Sequence, residues 1–142
     1  MIGRQVIPTT RAFTLQELEQ FMQTRWNKNE YNGFIIGKPT PASVEQYVLL
    51  PATERYMVIV FSRKGGSFLS KEDKVILSVA ETPSGVKQSL LSSIPTHGVF
   101  AGIWKVSSTM SAEKERKGPA EDALQKYTAY MRRLLSEAGY VK

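Results

Sequence analysis

Hydrophobic positions in this chain recur at two periods. From Leu15 onward Leu15, Leu18, Met22 and Trp26 fall three or four residues apart, with Phe21 at the edge, and form one apolar stripe of a helix over about 15–27. Thr14 and Glu17 stand three apart at its start, the spacing of a capping box. Phe13 and Leu18 flank the cap at the spacing of a hydrophobic staple. The pattern then changes to the short alternating or continuous runs of strands: Phe34–Ile36, Val44–Leu50, Arg55–Ser62, Lys74–Glu81 and Gly98–Val106. The turn at Pro51–Glu54 is short, so the strands on either side of it are predicted to be antiparallel. Val86–Ile94 has the spacing of a short helix closed by Pro95. The longest periodic stretch comes last. Ala120, Ala123, Leu124, Tyr127, Met131, Leu134, Leu135 and Ala138 share one arc opposite Glu121, Asp122, Gln125, Arg132, Arg133 and Ser136, so a helix over about 119–138 is expected, with Gly139 as its cap. Residues 107–118 are polar and are expected to form a flexible loop.

This order predicts an α+β domain over 1–142: an antiparallel sheet of four to five strands, with the long C-terminal helix and the N-terminal helix packed against it in two layers. The order of elements resembles that of helix-grip ligand-binding folds, a likeness of architecture that implies a cavity between sheet and helix and nothing about chemistry.

Composition narrows the chemistry. The chain has 142 residues, 42% hydrophobic and 23% charged, which suits a single globular domain. It has no Cys and one His, which excludes disulfides, thiolate zinc sites, iron–sulfur clusters and His-rich metal centres. No phosphate-binding loop, dinucleotide fingerprint or nucleophile elbow occurs, so no catalytic residue, metal ligand or cofactor is assigned. His97 precedes a strand in Pro95-Thr96-His97-Gly98, without a sequence-adjacent carboxylate to orient it as a base. The N-terminus lacks the apolar core of a signal peptide, and the longest apolar run, Met57–Phe61, is far short of a membrane span, so a cytoplasmic location is expected.

The formal net charge is +6, divided as +2 over residues 1–82 and +4 over 83–142, and the isoelectric point is about 9.6. Three readings of function follow. The favoured one is a non-catalytic binding or interaction domain, taking a small apolar molecule or a protein partner in a sheet–helix cavity lined by Arg25, Trp26, Tyr47, His97 and Trp104. The second is nucleic-acid or acidic-partner binding through Arg63, Lys64, Lys105, Lys114, Arg116 and Lys117, with steep salt dependence if phosphates are contacted. The third is an enzyme of unknown class. A half-covered sheet also admits pairing with a second copy as a homodimer.

Overall fold

The computed structural model describes residues 3–53, 55–66, 72–94 and 111–142. Its centre is one antiparallel sheet of β1 (Arg4–Pro8), β2 (Ile35–Gly37), β3 (Tyr47–Pro51), β4 (Tyr56–Arg63) and β5 (Lys74–Glu81), in the spatial order β1-β5-β4-β3-β2. Strands β2 to β5 form a meander, as their short connections require. Strand β1 pairs with β5 instead, Val6 opposite Ile76, and so lies at the edge far from its sequence neighbour β2.

Among the described residues four helices complete the fold: α1 (Leu15–Arg25), α2 (Ser84–Ser92), α3 (Ala112–Glu115) and α4 (Glu121–Glu137), with a π-helical turn over Arg116–Ala120 joining the last two. The capping box at Thr14 and Glu17 is formed, and Phe13 packs on Phe21 with ring centroids 6.2 Å apart. α4 ends in a Schellman turn: Gly139 takes φ +81°, Tyr140 N–H reaches Leu135 O at 2.8 Å and Gly139 N–H reaches Ser136 O at 3.0 Å.

Period-two alternation divides the sheet. Ile7, Val48, Leu50, Val58, Val60, Val75 and Leu77 face one side and bury Leu18 and Met22 of α1 together with Leu124, Tyr127 and Met131 of α4. Helix α4 covers the β1–β5 half and α1 the β3–β4 half. Each of the largest side chains in this layer adds about 1.5–3 kcal/mol by leaving water. On the reverse face Leu90 of α2 packs with Leu49 and Met57 as a smaller cluster. The α+β class, the antiparallel sheet and the two terminal helices are thus as the periodicity predicts.

Three details differ. Strand β1 has no counterpart among the expected strands, and the strand expected over 98–106 lies outside the described residues. The strand expected from Val44 begins only at Tyr47, because β2 offers a three-residue edge to pair with; Val44 is 91% exposed in the preceding turn. The loop expected over 107–118 is helical from Ala112, its first part lying outside the described residues. Glu115 explains this. Its buried carboxylate accepts from Thr53 Oγ1, from the Arg55 backbone N–H at 3.0 Å and from Arg55 Nη1 at 3.2 Å, tying the polar segment to the start of β4.

Candidate functional site

Of the five residues expected to line one cavity, the three that are described, Arg25, Trp26 and Tyr47, stand apart. Trp26 is 5% exposed and belongs to the core. Its indole N–H donates to Asn32 O at 2.8 Å, and its ring meets Tyr130 edge-on at 4.7 Å. Arg25, next to it in sequence, is exposed and lies over the Phe21 ring at 5.3 Å. Tyr47 stands at the start of β3 and packs with the reverse-face cluster. His97 and Trp104 lie outside the described residues. The layer between sheet and α4, where the hollow was expected, is occupied by fully buried Tyr127, Leu124 and Met131.

The basic residues separate likewise. Arg63 and Lys64 mark the end of β4, while Lys114, Arg116 and Lys117 sit on α3 and the π-helical turn, which Glu115 fastens to Arg55 at the other end of the same strand. Eight strand residues at about 3.3 Å each put roughly 25 Å between the two groups. Lys117 is also paired with Glu113 at 2.8 Å, and that ammonium holds the Glu113 carboxyl below its usual range. Lys105 lies outside the described residues. The glycine turn after Lys64 is not open to an anion at Gly65, whose N–H already donates to Asp73 Oδ1 at 2.7 Å.

One cleft does unite residues from both expected sets. Phe13 N–H donates to Ser62 Oγ at 2.9 Å, and Ser62 Oγ–H donates to Lys74 O at 3.1 Å, so the start of α1 is pinned over the end of β4. Between them opens a cleft of about 350 Å³. Phe13, Leu15, Leu18 and Phe61 supply its apolar walls, and Tyr47, Glu45 and Arg63 its polar rim. The rim is a closed triangle: Tyr47 O–H donates to Glu45 Oε2 at 3.0 Å, and Arg63 Nη2 donates to the same oxygen at 3.4 Å and to Tyr47 Oη at 3.3 Å. The Arg63 guanidinium also covers the Phe61 ring at 4.6 Å, while Tyr47 and Phe61 lie 5.0 Å apart. Arg63 and Glu45 remain 44% and 61% exposed, so this pair is screened by water and adds little to stability.

Tyr47, Phe61 and Arg63 meet because the β3–β4 register sets Val48 opposite Val60. Counting outward across the Pro51–Glu54 turn sets Tyr47 opposite Val58 instead, three residues off the observed register, so the sequence pattern alone does not bring these three together. Glu45 carries no signal either, since the turn preceding β3 places it.

No family model, curated protein or solved structure matches this chain. The chemistry of the cleft therefore rests on its own residues. It offers apolar walls, a cation, a phenol and a carboxylate. No group of three or more metal-ligating side chains stands together among the described residues. None of the described helices is long and apolar enough to cross a membrane.

Proposed function

We propose that this chain is a non-catalytic binding domain whose cleft between the start of α1 and the β3–β4 end takes a small, largely apolar molecule carrying one acceptor group. The observation that carries this reading is the pairing of an apolar wall with a rim of exchangeable hydrogen bonds. Phe13, Leu15 and Leu18 contact the body of such a ligand, and Arg63 with Tyr47 receives its acceptor. A volume of about 350 Å³ suits a molecule of one or two fused rings. A naphthalene sulfonate is a fair probe, having a flat apolar body and an acceptor head.

Amide proton–nitrogen correlation spectra recorded during titration should show shifts centred on Thr14, Tyr47 and Ser62. Tyr47→Ala and Arg63→Ala should each weaken binding about tenfold, the consequence of losing a contact of about 1.4 kcal/mol, with the folded spectrum otherwise retained. Shifts located elsewhere, or an affinity unchanged from the native chain in both variants, would overturn the reading.

A further inference from the structure

Strand β1 forms one edge of the sheet, and its ladder reveals which of its backbone groups face outward. Val79 N–H donates to Gly3 O at 2.8 Å and Thr9 N–H to Asp73 O at 2.9 Å. The residues bonded to β5 are therefore the odd ones, and those of Arg4, Val6 and Pro8 point away from the sheet. The chain's own C-terminal residues begin to use this outer edge. Thr10 N–H donates to Tyr140 O at 2.8 Å, Lys142 N–H to Pro8 O at 3.2 Å, and Thr9 forms an antiparallel bridge with Val141. Beyond that point the outward backbone groups of Arg4 and Val6 have no backbone partner among the described residues. Arg4 is exposed and Val6 is 41% exposed, so side chains there stand in solvent.

Beside this edge, on the α4 side, runs an open groove of about 590 Å³ whose walls include Gln5, Gln125, Ala129, Arg132 and Arg133. Its surroundings are predominantly cationic. Arg4, Arg116 and Arg132 form no ion pair among the described residues. Arg116 also lies beside the Gly3 end of the strand, its Nη2 being 3.8 Å from where a Cβ on Gly3 would stand. The carboxylates nearby are engaged: Glu121 accepts from Gly3 N–H at 2.9 Å, and Glu137 pairs with Arg133 at 3.5 Å.

We propose that the outer edge of β1 and the groove beside α4 receive an extended acidic peptide segment of a partner protein as an added antiparallel strand. The backbone groups of Arg4 and Val6 supply the main-chain hydrogen bonds, continuing the line that Tyr140–Lys142 begins. Side chains of the added strand alternate, so one set enters the groove near Arg132 while the other lies over Val6 and Arg4. Charge selects the occupant. A second copy pairing edge to edge would set Arg4 and Arg132 against arginines of its twin, whereas a carboxylate-rich strand is drawn to them.

The probe is a fluorescein-labelled peptide of roughly eight residues alternating Glu and Val, read by anisotropy on the full chain. It should bind, more weakly as salt rises, and a peptide with Lys in place of Glu should not. Val6→Pro removes an outward N–H without touching the β1–β5 ladder, a position where an edge strand tolerates proline. It and Arg132→Glu should each reduce affinity about tenfold, as one or two lost charged or edge hydrogen bonds imply, while circular dichroism stays unchanged. Tyr47→Ala should leave peptide binding intact, which separates this surface from the cleft. The proposal is overturned if neither peptide binds, the arginines then serving only to keep other edges away. It is equally overturned if the Lys peptide binds as well, if folded Val6→Pro retains full affinity, if sedimentation shows a dimer through this edge, or if only an oligothymidylate binds.

Discussion

Removing one oxygen from Tyr127 tests the account of the core directly. Its hydroxyl is fully buried, donates to Pro51 O at 2.5 Å and accepts from Asn32 Nδ2 at 2.9 Å. Burial pushes the phenol well above its ordinary pKa, so it stays neutral and able to donate over the whole working range. Asn32 is held at φ 67°, and its Oδ1 is already buried without a partner among the described residues. Tyr127→Phe would therefore leave the Asn32 amide and the Pro51 carbonyl each without this bond, inside a layer that water does not enter. At about 1–2 kcal/mol for each orphaned group, the variant should lose about 2–4 kcal/mol of stability. For 142 residues an unfolding entropy near 0.3 kcal/mol/K converts a loss of about 3 kcal/mol into a fall in Tm of about 10 °C. Urea unfolding followed by tryptophan fluorescence measures it, since Trp26 stacks on Tyr127 at 6.0 Å. Tyr130→Phe is the comparison: its hydroxyl accepts a single part-buried bond from Asn27 N–H at 3.0 Å, so about 1 kcal/mol is expected. Asn32→Gly keeps the left-handed backbone and completes a double-mutant cycle, with a coupling of about 1 kcal/mol. A loss under about 1 kcal/mol for Tyr127→Phe, or no coupling, would refute the assigned role.

Glu115→Ala should cost about 2–3 kcal/mol, because Thr53 and the Arg55 amide lose their acceptor while the half-exposed Arg55 guanidinium turns to water; faster hydrogen exchange at Arg55 and across 112–120 checks it. The Glu17 carboxyl is held below the usual carboxylate range, first by the Thr14 backbone N–H and then by Arg11. A lowered folded value means that its support of α1 is present above about pH 4.5 and disappears as pH falls through the folded pKa. Amide shifts of the first turn of α1 should follow this titration in the native chain and lose it in Glu17→Gln. Gly65→Ala would set a Cβ 2.5 Å from the Glu72 backbone carbonyl carbon, which cannot give way as a side chain could, and should destabilise by about 1–3 kcal/mol in a thermal melt.

What could be read in advance follows from how local each cause is. The cap at Thr14 and Glu17, the α1 stripe and the arc of α4 depend on residues within one or two turns, and periodicity exposes them. Strand β1 does not. Its five residues end in proline and include one fully buried side chain, and they are a strand because β5, some seventy residues on, supplies the partner. The helix at Ala112–Glu115 and the following turn depend on an acceptor–donor set formed with Thr53 and Arg55, sixty residues earlier, against a composition that favours a loop. The site follows the same division. Tyr47 and Arg63 are each legible as candidates for different chemistry, and only strand register puts them side by side. The chemistry of Trp26 suits a ligand wall, yet the same ring and N–H satisfy the core through Asn32.

The pairing of β1 with β5 has a bearing on synthesis. Strand β1 is made before its partner and finds its place only after Glu81 has emerged, and its helical cover only after Glu137. Until then an unsatisfied ribbon travels with the nascent chain, so productive collapse of this domain is deferred until α4 has been made. Chains cut before α4 should therefore accumulate as chaperone clients rather than as smaller folded units, and synonymous changes of elongation rate before β5 should matter less than the interval just after α4 emerges.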